Sequence, residues 1–199
     1  MSKLTAEQRI ERTHVQLMKH PNFALFSGLF MIGKVEVQDD THSGTAHTNG
    51  LDVIYDREFI NRLNDKQLAF LILHENMHKA YRHLVVWQKL YKENAELANC
   101  ACDYVINLQI LDYDPNGQFT EMPTDEEGNV MGCIDEKYRG MDAHQVYLEL
   151  VKKYGKDYGK VKIFVVGGKG QGEKDENGHP SSSGEQSDGD VEKLPNGFD

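Results

Sequence analysis

No run of about 18 apolar residues occurs in this chain of 199, so it holds no candidate membrane-spanning helix. The N-terminal stretch MSKLTAEQRIERTHVQL is polar and helical in pattern, without the apolar h-region of a signal peptide. Cysteine is scarce. The 3 present, Cys100, Cys102 and Cys133, are an odd number with no disulfide-framework spacing. These absences together point to a reducing cytoplasm. Basic residues are also in short supply: 22 Lys and Arg against 32 Asp and Glu leave a net charge of −10. That balance excludes non-specific nucleic-acid binding through a basic surface. Gly167–Asp199 carries 8 acidic and 3 basic residues, hence −5, half of the total charge. The chain therefore reads as one domain over residues 1–166, followed by an acidic, Gly/Ser-rich disordered tail or linker over 167–199. Glycine and proline are missing altogether from Asn64 to Tyr113, which leaves that region free to be helical.

Within it stands His74-Glu75-Asn76-Met77-His78, an H-E-x-x-H sequence inside LAFLILHENMHKAYRHL. Two histidines four residues apart on a helix point the same way, one turn apart. Their imidazoles can then bind one Zn²⁺, and Glu75 can reach a metal-bound water as general base. The local signals support a helix from Asn64 to about Leu84. Leu68, Ile72, Leu73 and Met77 recur at helical spacing. Asn64 with Gln67 makes a capping-box pattern, and Leu63 with Leu68 could form a hydrophobic staple. The bland alternative is two core histidines and an incidental glutamate. An unpaired Glu buried on so apolar a helix would be costly, which favours the metal.

A catalytic zinc usually takes three protein ligands. His83 is close in sequence, but on a straight helix it lies nine residues past His74, about 900° around and so on the opposite side. It could ligate only if the helix broke after Lys79, and no glycine is there to break it. A second helix, from about Lys92 to Leu111, offers Asn99, Asp103 and Asn107 on one face, with Glu96 one turn before. Asp103 among apolar neighbours is the favoured third ligand, ahead of Glu96 and then His83 or water. A second role open to Asp103 is as acceptor for a ligating histidine. Cys100 and Cys102, about 200° apart on a helix, cannot both face one metal and read as small buried hydrophobes.

Elsewhere the pattern predicts an amphipathic helix from Thr5 to Lys19, with Ile10, Val15, Leu17 and Met18 as its apolar positions. Strands are expected over Phe30–Gln38 and Leu51–Tyr55, separated by a polar loop, Asp39–Gly50. A short helix or turn follows over Glu58–Leu63. Gly117–Gly140 reads as loop, and Asp142 as the N-cap of a helix stopped by Gly155. Lys162–Val166 reads as a further strand. His42 and His47 fall in the first loop, where solvated histidines are the usual case. His83, Tyr81 and Tyr104 are candidates by type and proximity for a second electrophile, and Phe30–Gln38 for a peptide-binding edge strand.

The two helices together carry a resemblance. HENMHKAYRHL followed by LANCACDYVINLQI resembles the bacterial and phage metallopeptidase-type domain that stands upstream of a von Willebrand A (VWA) domain. That family's pattern is H-E-x-x-H-x4-H and then W-N-x-A-x-D-x-x-I-N. His74, Glu75, His78 and His83 match the first part; Asn99, Ala101, Asp103, Ile106 and Asn107 match the second. Ala98 stands at the tryptophan position. YRGMDAHQVYLEL resembles the family's next helix, so the likeness runs from about Thr5 to Lys153. The resemblance implies a zincin-like α+β fold, a small sheet packed on the H-E-x-x-H helix beside a second, ligand-bearing helix. It implies a zinc metallopeptidase with His74, His78 and Asp103 on Zn²⁺ and Glu75 as base. It further implies a peptide or protein substrate, a C-terminal VWA-type partner domain or protein, and a bacterial cytoplasm, or a host cytoplasm for a phage-encoded chain. The rival readings are a catalytically inactive zinc-binding interaction module and, last, a metal hydrolase of non-peptide bonds, for which no phosphate loop or second metal cluster is visible.

Overall fold

The computed structural model describes residues 4–41 and 43–155. The expected strand Lys162–Val166, the acidic segment Gly167–Asp199 and His42 lie outside the described residues. What is described is mixed α+β, mostly helical, with one small three-stranded sheet.

Helix α1 (Ala6–Lys19) opens on a capping box in which Thr5 and Gln8 satisfy each other's backbone N–H. Its buried face is Ala6, Ile10, Thr13 and Leu17. Val15 was expected among the apolar positions but is exposed, because five residues past Ile10 it stands about 140° away from that face. A short 3₁₀ turn leads into α2 (Ser27–Phe30). This corrects the strand expected from Phe30. Phe26 and Phe30, one turn apart, go into the core as a helical pair, and only β1 (Val35–Gln38) is extended. Between them Gly33 turns the chain at φ 76°, where an added Cβ would sit 2.0 Å from the Leu51 carbonyl oxygen.

The polar stretch expected as loop contains a strand, β2 (Ala46–Thr48). It pairs antiparallel with β3 (Val53–Asp56), Ala46 opposite Tyr55 and Thr48 opposite Val53. Strand β1 pairs parallel with β3 on its other side, Val35 opposite Val53, so the order is β1-β3-β2. The polar composition hid β2 because an edge strand needs few buried side chains; here only Ala46 is buried.

Asp56 caps α3 (Arg57–Arg62), accepting from the Phe59 N–H. Then comes α4 (Asp65–Ala80), with the capping box expected from Asn64 and Gln67. Every residue from Gln67 to Lys79 is buried, so α4 is the central helix, covered all round. Helices α1 and α2 and strand β2 pack on it, and so does α7 (Ala95–Tyr113). Arg9 ties α1 to α3 by donating to the Ile60 and Leu63 carbonyls at 2.6 and 2.7 Å.

The helix expected to run on to Leu84 stops at Ala80. Arg82 adopts the left-handed conformation (φ 51°, ψ 43°), and a new short helix, α5 (His83–Val86), starts after it. Helix α6 (Gln88–Glu93) follows; Asn94 then caps α7, which starts at Ala95, three residues later than expected. Beyond Tyr113 the chain is loop with one isolated bridge, Thr124 to Val130, and a 3₁₀ turn at Glu136–Tyr138. Asp142 and Gln145 form the cap of α8 (Ala143–Tyr154), and Gly155 ends it at φ 74°. Helices α7 and α8 close a second core around Leu97, Cys100, Ala101, Leu108, Tyr138, Val146 and Leu150.

Candidate metal centre

Three ligand-type atoms converge where α4 meets α7. His74 Nε2 and His78 Nε2, one helical turn apart, are 3.2 Å from each other. Asp103 Oδ1 of α7 lies 3.5 Å from the first and 3.1 Å from the second. A tetrahedral ion with bonds of about 2.0–2.1 Å requires its ligand atoms to stand about 3.3 Å apart. The three observed separations bracket that value, so the set fits such an ion without rearrangement.

The outward atoms of the same side chains are also tied. His74 Nδ1 is 2.8 Å from Asn107 Oδ1, and Asn107 Nδ2 donates to the Cys133 carbonyl at 2.9 Å. Since Asn107 spends its N–H on Cys133, its Oδ1 accepts from His74, which puts the proton of neutral His74 on Nδ1 and a lone pair on Nε2. Asn99 Nδ2 donates to Asp103 Oδ2 at 3.1 Å, leaving Oδ1 for the cluster, and the Tyr91 hydroxyl donates to Asn99 Oδ1 at 3.3 Å. A lone pair on Nε2 beside a carboxylate oxygen, both in an interior shut off from water, calls for a cation between them.

The electrostatics agree. His74, Glu75 and Asp103 retain only 3, 4 and 1% exposure. Burial alone would push His74 down, yet the hydrogen bond and charge of Asp103 outweigh it and carry the imidazole up to about 9. Burial would likewise raise Asp103, but hydrogen bonds from the two histidines bring it down to about 2. In the protein without metal, a proton on His74 does the job of the cation. Glu75 is raised above the ordinary carboxylate range, chiefly by burial and against the charges of His74 and His78.

The family described as "Putative metallopeptidase domain" matches residues 6–198. The chain belongs to that family. No curated protein and no solved structure is significantly similar to it. Among the described residues of this family member, one group of His, Cys, Asp and Glu side chains could hold a metal, and it is His74, His78 and Asp103. Glu96, the second candidate for third ligand, is exposed in the first turn of α7 and outside that group.

His83 requires a correction. The helix does break after Ala80, at Arg82, with no glycine to help it, and the turn brings His83 back inside at 3% exposure. Yet it arrives behind His78: His83 Nδ1 is 3.1 Å from His78 Nδ1, on the side of the ring away from Nε2. Burial and the neighbouring histidine push His83 down to about 3, so it is neutral. Of the other electrophile candidates, Tyr104 packs at a tilt against Tyr138 in the second core and the Tyr81 hydroxyl donates to Gln109 at 2.7 Å. His47 is exposed on β2, with Nδ1 3.2 Å from Ser43 Oγ, and close enough for its charge to act on Glu75. Sequence reasoning passed over Tyr91 and the Cys133 carbonyl entirely. Neither carries a local signal, because each reaches α7 from a separate segment. All three cysteines are free and buried, and Cys100 Sγ is 2.8 Å from Cys133 Sγ. No helix among the described residues is long and apolar enough to cross a membrane.

Proposed function

We propose that this chain is a zinc-dependent metallopeptidase of zincin-like architecture, with His74, His78 and Asp103 holding Zn²⁺ and Glu75 as general base. One observation carries the reading: two Nε2 atoms and a carboxylate oxygen meet at 3.1–3.5 Å, beside a glutamate with a raised pKa. Held by these three residues, zinc would supply Lewis acidity toward the scissile carbonyl and toward water. His74 and His78 are held by Asn107 and His83 and offer their Nε2 atoms. Asp103 offers Oδ1 while Asn99 holds Oδ2. Glu75 accepts a proton from the attacking water and returns it to the leaving amine, a task that a raised carboxyl pKa suits. The substrate is a peptide or protein, and a VWA-type domain or protein is the C-terminal partner. The same reading places the protein in the cytoplasm.

The rival is a zinc-binding interaction module without activity. It draws support from the burial of Glu75, at 4% exposure, which leaves little room for a peptide. Metal content of untagged protein, followed by Glu75→Gln and Asp103→Ala, separates the two. The peptidase reading expects about one zinc per chain, lost in Asp103→Ala and kept in Glu75→Gln, with peptide cleavage abolished in both. Cleavage that persists in Glu75→Gln removes Glu75 as base. A zinc-loaded wild type that cleaves no peptide in a diverse library leaves the interaction module.

A further inference from the structure

We propose that His83 is a positioning residue: it accepts the Nδ1–H of His78 and so fixes the tautomer in which the His78 Nε2 lone pair faces His74 and Asp103. The inference rests on reading this cluster as a metal centre. The two Nδ1 atoms are 3.1 Å apart, both rings are buried, and their planes are nearly perpendicular at 88°. Two ring nitrogens that meet at that distance share one proton between them, one donating and the other accepting. When Nε2 of His78 is given to a metal, its only remaining proton site is Nδ1, so His83 must be the acceptor and carry its own proton on Nε2. Without that acceptor, His78 has the alternative of protonating Nε2 and donating to Asp103 Oδ1, 3.1 Å away. That hydrogen bond fills the place where the metal belongs.

The backbone is built for this contact. A continued helix would carry His83 to the far side. Arg82 instead takes the left-handed conformation, which crowds the Cβ of an L-residue, and the chain folds back onto α4. The Tyr81 ring stacks on His83 at 5.4 Å and holds its plane. The Nδ1 of His83 is committed to the rear of His78, so this residue acts through a ligand.

The test compares zinc affinity, by competition with a chromophoric chelator, in the wild-type chain, His83→Gln and His83→Phe. The amide oxygen of Gln can accept the His78 proton; the Phe ring fills the space and accepts nothing. Positioning predicts a loss of about 10- to 100-fold in His83→Phe and affinity within a few-fold of wild type in His83→Gln. A packing role predicts the reverse order and a ligand role predicts loss in both; either result overturns the proposal. Long-range ¹H–¹⁵N spectra of the zinc-loaded wild type give an independent readout that needs no variant to fold. They should show His83 protonated on Nε2 and bare on Nδ1, and a His83 protonated on Nδ1 or bound to zinc overturns it. Failure of the wild type to bind zinc overturns the metal-centre reading itself. Tight binding in the wild type with unchanged affinity in His83→Phe overturns only the role of His83.

Discussion

At the scale of single residues, the proposed metal centre is a set of atoms each held from two sides. His74 spans the cluster and Asn107; Asp103 spans the cluster and Asn99. Such double constraint limits the rotamers that ligands sample before a metal arrives, and its loss should be felt without any ligand being touched. Asn107→Ala removes the acceptor for His74 Nδ1 and the donor to the Cys133 carbonyl, leaving two buried groups unpaired. The expected result is a zinc affinity about 10- to 100-fold weaker and a metal-free stability lower by about 1–3 kcal/mol. Chelator competition and chemical denaturation measure the two. An unchanged zinc affinity would mean that the α4 backbone alone orients His74.

At the scale of elements, the candidate site depends on where α4 begins and where it ends. Asn64 sets the start of α4 through its capping box, nine residues before the last leucine ahead of His74. Asn64→Ala should cost about 1 kcal/mol and leave the metal site intact. Arg82 sets the end. Arg82→Gly relieves the left-handed strain and should be at least as stable as wild type. Arg82→Val cannot adopt that conformation cheaply, and should lose about 1–3 kcal/mol. A domain of this size shifts its melting temperature by about 2–4 °C per kcal/mol, so thermal unfolding resolves both substitutions. A Val at position 82 that melts with the wild type would show that the break at Ala80 is held by something other than this residue.

At the scale of the whole molecule, the proposed metal would compete with a proton for one buried position, and pH should show it with opposite slopes. In the metal-free protein His74 is raised from 6.5 to about 9. A group raised on folding gives stability that is fully present below the unfolded pKa and lost as pH rises through the folded one. Metal-free protein should therefore lose thermal stability from about pH 6.5 to about pH 9 through this group. On the proposed reading zinc would displace the same proton, so its affinity should rise over that interval. Melting curves with and without chelator, across those pH values, are the measurement; parallel slopes would remove His74 as the shared site. On the acid side His14, lowered by burial and the Lys79 charge to about 4, adds a loss of stability as pH falls from 6.5 towards that value.

The helical periodicity, the caps at Asn64 and Asp142 and the two four-residue spacings, His74 to His78 and Asn99 to Asp103, are local facts. They were therefore legible in the sequence, and so was the partnership of the two helices. The sheet was read less well: β2 lay hidden in a polar run and Phe30 was assigned to a strand, because pairing and core burial involve residues distant along the chain. The distances at which Asp103 meets the two histidines, the bonds from Tyr91 and to the Cys133 carbonyl, and the return of His83 belong to the tertiary structure alone. A helix end without glycine gives no warning of itself. The left-handed turn at Arg82 persists because packing around α4 outweighs its local cost, and no count of residues along a straight helix contains that balance.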